Sequence, residues 1–434
     1  MTEFNYGDPH PLLIDRRERK RRTDERAALH YLNVLTRAGD LYRRDGAGET
    51  DARTLFDLEA ANVRRWQQWS ADRFCAAPDD PTTRTLAAHY PTVGSELYQV
   101  RLPPREWIRW SEVAVRAFRA LKNRSGEGAA LGNLGNAWTA LGNATRAVEY
   151  HEQALAVARE LGDRSSEGLW LNNLGASAMH LGRVQNAIRY YEQSFRICRE
   201  SGNARGEAVA LNNVGNGYAA LGESEKAVTL YDRALPLTRQ TGQRAVEGQL
   251  LGNLGNAWRA LGDYDKAADF QERSLKVARD TGDALAVLRA LGNLANTLAS
   301  RGDHLRSIPY YEEAVAIARA IESHRAEGQL LSNMGNALQY GGNAAGGMDC
   351  YQRGLTLARE SGDKRFEAAT LTNIAGLLYA SGERVRAADH YALALSLARQ
   401  TGDRRIEAAA SEGLSAVTNA ARQETSDTAT APPG

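Results

Sequence analysis

Residues 247–281 read EGQLLGNLGNAWRALGDYDKAADFQERSLKVARDT, and the architecture follows from the pattern in this stretch. Apolar side chains recur at intervals of three and four residues on both sides of Gly262 and Asp263. That spacing predicts two amphipathic helices, and Gly262 and Gly282 suit the left-handed position just beyond a helix end. The aspartate after each glycine suits the N-cap of the next helix. The stretch therefore predicts a helix hairpin.

The same hairpin recurs every 40 residues from 125 to 404, without an insertion or a deletion. Each first helix carries an asparagine at the same place, which gives Asn133, Asn173, Asn213, Asn253, Asn293, Asn333 and Asn373. A glycine follows each second helix at Gly162, Gly202, Gly242, Gly282, Gly362 and Gly402, and Glu322 is the one exception. Repetition without drift predicts a solenoid of seven hairpins.

Small and aromatic residues alternate within each unit, as in Leu254-Gly255, Trp258, Gly262 and Ala267 of the fourth. This order resembles the tetratricopeptide repeat. The unit is longer than the usual 34 residues, so it is similar to the long arrays of spindle-orientation adaptors and of bacterial STAND-type signalling ATPases. The resemblance implies an all-α fold, an α-solenoid wound as a right-handed superhelix of seven hairpins with an N-terminal helical cap.

Composition and proline placement divide the rest of the chain into flanking segments. We predict a disordered basic N-terminus at 1–23, an N-terminal helical segment at 24–84, a degenerate capping repeat at 85–124, a C-terminal capping helix at 405–422 and a disordered tail at 423–434. Two helices are expected in the helical segment, about 24–44 and about 51–75. Residues 54–110 also resemble the linker between the ATPase core and the repeats of signalling ATPases, but the sequence contains no G-x-x-x-x-G-K-[ST] phosphate loop.

The charge balance excludes some classes of partner. The chain has 54 Lys and Arg against 53 Asp and Glu, so no net field attracts nucleic acid or an anionic membrane. The basic run from Arg16 to Arg22 is interrupted by Glu18 and lacks interleaved aromatics, which favours a solvated helix start over a nucleic-acid arm. Three scattered cysteines and the absence of an apolar signal sequence predict a cytoplasmic protein with neither nucleic-acid nor membrane partners.

Residues that could support catalysis do not cluster. No two of the eight histidines are three or four residues apart, so no helical metal face is predicted. A carboxylate recurs at one position in most repeats: Glu127, Glu167, Glu207, Glu247, Glu327, Glu367 and Glu407. This recurrence indicates a structural feature, because a catalytic pair would occur only once in the chain. We expect no enzyme, no cofactor and no metal site.

The asparagines are the candidate site. The inner row consists of the seven asparagines that define the repeat, and the outer row, three residues further along, is Asn136, Asn216, Asn256, Asn296 and Asn336. Both rows share one helix face, which the resemblance places on the concave surface of the superhelix. An amide pairs with both groups of a peptide bond, so the rows are expected to hold an extended peptide by its backbone. For the inner row the alternative is a stacking device between hairpins.

Two arginines lie on or beside this face and narrow the kind of ligand that we expect. Arg259 and Arg289 belong to adjacent repeats, and they are expected to receive an acidic side chain or a chain terminus. Exposed arginine is also commonplace on a solenoid.

The leading function is a non-catalytic scaffold for protein–protein interaction that binds an extended peptide or a partner helix in the concave groove. The alternatives are a sensor or regulatory module that works with a signalling ATPase or effector, and a cytoplasmic receptor for a peptide signal. An enzyme is the remaining class, which measured turnover would reveal. The sequence names neither the partner, nor the pathway, nor the oligomeric state.

Overall fold

In a computed structural model the described residues, 11–42 and 47–430, form twenty α-helices and no strand. By contacts the chain divides into two compact units, Met1–Val246 and Glu247–Gly434, here called unit 1 and unit 2. The prediction of an all-α fold of consecutive helix hairpins is confirmed. None of the described helices is long and apolar enough to cross a membrane.

Unit 1 begins with two long helices, α1 (Pro11–Tyr42) and α2 (Ala47–Ala76). Helix α1 begins at Pro11, so it includes residues 11–23, for which the sequence predicts a disordered segment. Ion pairs one turn apart support this early helix, since Arg22 and Arg21 each lie 2.8 Å from Glu18 and Glu25 respectively. Residues 1–10 and 43–46 lie outside the described residues.

The degenerate repeat contains three helices, α3 (Pro81–Val93), α4 (Ser95–Arg101) and α5 (Pro104–Ala120). Asp80 caps α3 by accepting from the Thr82 N–H, so the predicted boundary at 84/85 falls inside this helix. Gly94 separates α3 from α4, where an added Cβ would lie 2.7 Å from Leu35 of α1. This close approach requires glycine and packs the N-terminal helices against the degenerate repeat.

The seven predicted hairpins are present, each with a three- or two-residue turn between its helices. In unit 1 they are α6 (Arg124–Ala140) and α7 (Ala144–Glu160), α8 (Arg164–His180) and α9 (Val184–Glu200), and α10 (Ala204–Ala220) and α11 (Ser224–Gln240). Helix α12 (Arg244–Ala260) begins at the end of unit 1 and lies mostly in unit 2. Unit 2 continues with α13 (Tyr264–Thr281), α14 (Ala284–Arg301), α15 (His304–Ala320), α16 (His324–Tyr340), α17 (Ala344–Glu360), α18 (Lys364–Ala380), α19 (Arg384–Thr401) and α20 (Arg404–Thr430).

The last helix is longer than expected. The sequence predicts a capping helix at 405–422 followed by a disordered tail, whereas α20 continues to Thr430. The sequence offers no glycine or proline between 414 and 431 to end the helix. Residues 431–434 lie outside the described residues.

The recurring carboxylates connect consecutive hairpins. An arginine near the end of one second helix binds the glutamate in the first turn of the next hairpin in Arg119–Glu127, Arg159–Glu167, Arg319–Glu327, Arg359–Glu367 and Arg399–Glu407. Burial alone would raise the pKa of Glu127, but the Arg119 and Arg124 guanidiniums together hold that pKa below its ordinary value. The interpretation of these carboxylates as a structural feature is confirmed at these positions.

The exception among the turn glycines is strained. Gly162 and its counterparts have positive φ, and Glu322 takes the same conformation with φ 55°. The left-handed conformation costs an L-residue about 1–2 kcal/mol, which glycine avoids at the expense of a more flexible unfolded chain. We therefore expect Glu322→Gly to raise the free energy of unfolding by about 1 kcal/mol, measured by urea denaturation. Glu322→Ala keeps the Cβ and should bring no gain; an equal gain in both variants would attribute the effect to the lost charge.

Candidate functional site

Both asparagine rows lie on one face of the first helices, here called the asparagine face. In each unit most of these asparagines are partly exposed, and Asn133 is buried. One turn before the inner row, the residues at Gln249, Arg289 and Gln329 are exposed, so the face is open to solvent beside the amides. The face therefore meets the first requirement of a ligand surface, which is access.

Each outer-row amide is oriented by a side chain from its own second helix, fifteen residues along the chain. The hydroxyl of Tyr231 donates to Asn216 Oδ1 at 2.8 Å, and that of Tyr311 donates to Asn296 Oδ1 at 2.6 Å. The same contact is made by Tyr351 to Asn336, by Gln271 to Asn256 at 3.3 Å, and by His151 to Asn136 at 3.1 Å. These second-helix residues therefore fix the rotamers of the outer row.

The inner row ties consecutive repeats together. Asn173 Nδ2 donates to Asn136 Oδ1 at 3.0 Å, and Asn333 Nδ2 donates to Asn296 Oδ1 at 3.0 Å. Where Ala176 replaces the outer amide, Asn213 donates instead to Asn172 at 2.9 Å. These bonds are what the stacking interpretation of the inner row predicts, and the sequence alone did not decide between it and ligand binding.

The internal bonds leave a defined set of polar atoms for a ligand. Asn136 Oδ1 and Asn296 Oδ1 each accept two donors, so both lone pairs of each are used. Within the described part of the chain, the NH₂ groups of these two residues donate to no protein atom, and the side-chain carbonyls of Asn173 and Asn333 accept from none. Each bonded pair thus presents one NH₂ and one carbonyl.

The side chains of four predicted site residues in unit 2 make no hydrogen bond or ion pair among the described residues: Asn293, Asn373, Arg259 and Arg289. Arg289 is exposed, whereas Arg259 is partly buried and its Nε lies at a buried position without a partner. Burial raises the pKa of the Tyr311 hydroxyl, and the positive charge of Arg259 opposes that shift. Arg259 therefore acts electrostatically on the hydroxyl that donates to Asn296.

The sequence analysis missed the second-helix residues that orient the amides. Their signal is present, because His151, Tyr191, Tyr231, Gln271, Tyr311, Tyr351 and Tyr391 also recur every 40 residues. The second-helix side chains also explain the small residue in the first helices, such as Gly215. A Cβ on Gly215 would lie 2.5 Å from the Tyr231 ring, so glycine makes room for the ring that reaches Asn216.

One group of side chains resembles a nucleophile with its base. His151 Nδ1 lies 3.3 Å from Ser177 Oγ, and the other ring nitrogen contacts Asn136. Ser177 is completely buried and its hydroxyl also reaches the Asn173 carbonyl at 3.0 Å, so no substrate reaches it. Among the residues that the structure describes, no group of three His, Cys, Asp or Glu side chains could hold a metal ion.

The tyrosine contacts have a measurable energy. Tyr311→Phe removes one donor to Asn296 and should lower the free energy of unfolding by about 1 kcal/mol, the usual contribution of such a bond. Tyr391 is the matched control, because Gly376 stands where the outer amide would be and the Tyr391 hydroxyl has no hydrogen bond among the described residues. Tyr391→Phe should be nearly neutral in the same urea titration. Equal losses in the two variants would contradict the assignment.

A family comparison identifies the repeats. Residues 128–163, 166–240 and 247–320 match models of the tetratricopeptide repeat, which confirms the resemblance. No curated protein matches the chain.

Solved structures with similar folds include regulators and a signalling ATPase. A STAND protein with a tetratricopeptide repeat sensor from Pyrococcus horikoshii aligns with a TM-score of 0.57 at 16% identity, over 83% of this chain and 55% of that one. The apo form of the quorum sensor NprR from B. thuringiensis has a TM-score of 0.54 at 14% identity, over 77% and 99%. A Rap protein complexed with Competence and Sporulation Factor has a TM-score of 0.53 at 12% identity, over 92% and 99%. At these identities the likeness is one of fold.

Proposed function

We propose that this chain of tetratricopeptide repeats is a non-catalytic, cytoplasmic scaffold that binds an extended peptide segment of a partner protein along the asparagine face. The observation that carries the proposal is the pairing of amides between consecutive repeats. In the pair Asn296–Asn333, the remaining NH₂ and carbonyl are the two groups that bind the C=O and N–H of a peptide bond. Asn136 and Asn173 form the same pair in unit 1.

The internal bonds favour this role by preorganisation. An asparagine free to rotate loses side-chain entropy when it binds, which weakens the complex. The outer amides are already held by a second-helix donor, as in Tyr311–Asn296. The side chains of the outer row therefore need little further ordering when a ligand binds. In each bonded pair, one amide group from the inner row and one from the outer row face the ligand.

Asn293 allows a test that separates ligand binding from stability. It makes no internal hydrogen bond among the described residues, whereas Asn333 donates to Asn296. With a library of acetylated, amidated short peptides as the probe, Asn293→Ala should lower affinity by roughly tenfold, about 1.4 kcal/mol, at an unchanged melting temperature. Asn333→Ala should lower both affinity and melting temperature.

The control is Asn186→Ala on the second helix α9, where the amide is exposed and binds only Arg189. It should change neither quantity. If no peptide in the library binds wild-type protein, or if Asn186→Ala and Asn293→Ala lower affinity equally, the asparagine face is not the binding surface.

A second candidate is a sensor or regulatory module that acts with a signalling ATPase or effector, or a receptor for a free signal peptide. Residues 54–110 favour it through their resemblance to the ATPase–repeat linker, and the similar folds include a sensor of a STAND protein and a Rap protein in complex with a factor. In this case short peptides with free termini should bind more tightly than the same peptides with blocked termini.

A further inference from the structure

We propose that the asparagine face of unit 2 selects acidic peptides, and that Arg259 binds an Asp or Glu side chain of the ligand with Arg289 beside it. This inference rests on the proposed function, since it names the chemistry of the segment that the amides would hold.

The first argument is the state of Arg259. Its guanidinium is partly buried, its Nε has no partner, and no carboxylate among the described residues pairs with it. Most arginines near the turns do have such a partner, as Arg319 has Glu327 and Arg301 has Asp303. A partly desolvated cation without a counter-charge is costly, and an anion supplied by a ligand would remove that cost.

The second argument is that the first helices of unit 2 carry few acidic groups. The first helices of unit 2 from 247 to 380 contain only Glu247, Glu327 and Glu367, each in a first turn. Glu327 and Glu367 bind Arg319 and Arg359 at the junction of the hairpins, and α14, which carries Arg289, contains no carboxylate at all. Within the part of unit 2 that the structure describes, no carboxylate of these helices pairs with Arg259 or Arg289, so both charges are left for a ligand.

The third argument comes from the amides. The carbonyl of Asn296 is used by two internal donors and that of Asn256 accepts from Gln271, so these residues turn mainly N–H groups outward. With Arg259 nearby, the cluster has more donors than acceptors at its surface. A carboxylate, which only accepts, complements such a surface, and hydrogen bonds between charged partners are the stronger ones.

The test uses two pools of acetylated, amidated short peptides, randomised over Ala, Ser, Leu and Gln, with one position fixed as Glu in one pool and as Gln in the other. Blocked ends remove terminal charge, so the fixed side chain is the difference. We expect the Glu pool to bind wild-type protein at least about tenfold more tightly, and Arg259→Gln to abolish that preference. Arg289→Gln, a change at an exposed residue, should reduce it.

The matched control is Arg306→Gln on the second helix α15. Arg306 is 71% exposed and the substitution removes the same charge from the same unit, so it should leave the preference intact. If Arg306→Gln and Arg259→Gln reduce the preference for the Glu pool equally, the preference comes from the overall positive charge and not from a site at Arg259. That result would overturn the inference. So would displacement of the Glu pool by inorganic phosphate at the pool's own concentration, which would indicate a site for small anions.

The outcomes also separate this inference from the proposed function. If both pools bind equally, the peptide groove stands and the acidic preference is wrong. If neither pool binds, both are wrong. If Arg259→Gln lowers the melting temperature, Arg289→Gln and the wild-type comparison of the two pools still decide the question.

Discussion

Lowering the pH from 7 to 4.5 should reduce the free energy of unfolding of the wild-type protein by up to about 3 kcal/mol more than that of the variant His151→Gln. His151 is 1% exposed, lies against Trp170 and contacts Asn136 and Ser177. Burial lowers the pKa of this imidazole from 6.5 to about 4, a shift that the Gly132 carbonyl partly opposes. The folded protein therefore holds His151 neutral in mildly acidic solution.

The direction of this pH effect follows from the number of protons that the folded and unfolded states bind. As the pH falls through 6.5 the unfolded chain takes up a proton at His151, and the folded chain does so only near pH 4. The unfolded state binds more protons throughout that interval, so stability is complete above about pH 7, declines between pH 6.5 and 4, and levels off below.

His151→Gln is the appropriate comparison because the fourth repeat carries Gln271 at this place, where its amide donates to Asn256. The measurement is the urea midpoint of both proteins at pH 7.5, 6.0 and 4.5. Carboxylates with lowered pKa values, such as Glu127, weaken both proteins in acid, so the difference between the proteins isolates His151. A constant difference across this range would contradict a neutral buried imidazole.

The second large effect concerns Gly132, which lies under the indole of Trp170. A Cβ at Gly132 would lie 2.0 Å from the Trp170 ring, and Trp170 is 5% exposed and has little room to move. Glycine to alanine inside a helix usually gains roughly 0.5–1 kcal/mol. Here we expect Gly132→Ala to lower the free energy of unfolding by about 2 kcal/mol, because overpacking outweighs that gain.

The fifth repeat provides the control. Gly292 occupies the same place, and a Cβ there would meet only Leu330 Cδ2 at 3.2 Å, the end of a flexible side chain. Gly292→Ala should therefore be neutral or stabilising in the same urea titration. The double variant Gly132→Ala/Trp170→Ala should lose less unfolding free energy than the two single variants added together. Alanine is already found at the position of Trp170 in the third and fifth repeats, as Ala210 and Ala290. Additive losses would mean that the two residues do not compete for space.

The regular part of the fold could be predicted because every local signal recurs at one period. Glycine at each turn and apolar spacing of three and four residues place the hairpins of 125–404 to within a residue or two of the observed helices. The flanks carry no such period. Helix α1 contains i, i+4 ion pairs such as Arg22–Glu18, and in the sequence these charges can be recognised as pairs only once a helix is assumed.

The candidate face could be predicted, but its hydrogen bonds could not. The asparagines stood out because they are polar residues at a fixed place, whereas the tyrosines that orient them have the pattern of core residues. Whether Asn333 faces a ligand or the preceding repeat depends on side-chain rotamers and on the separation of adjacent helices. Those quantities follow from packing, and periodicity does not contain them.

The two bonds from inner to outer amide, Asn173 to Asn136 and Asn333 to Asn296, run in the same direction, from one repeat to the one before it. A solenoid behaves approximately as a one-dimensional lattice, in which stability is a sum of terms within sites and couplings between neighbours. Each amide bond adds to a coupling, so its loss weakens cooperativity between two repeats more than it weakens either repeat. The seventh repeat has Gly376 in place of the donor's target, and Gly413 stands at the matching place of α20. That end of unit 2 therefore has neither the donor nor the acceptor for an amide coupling, and we expect fraying to begin there.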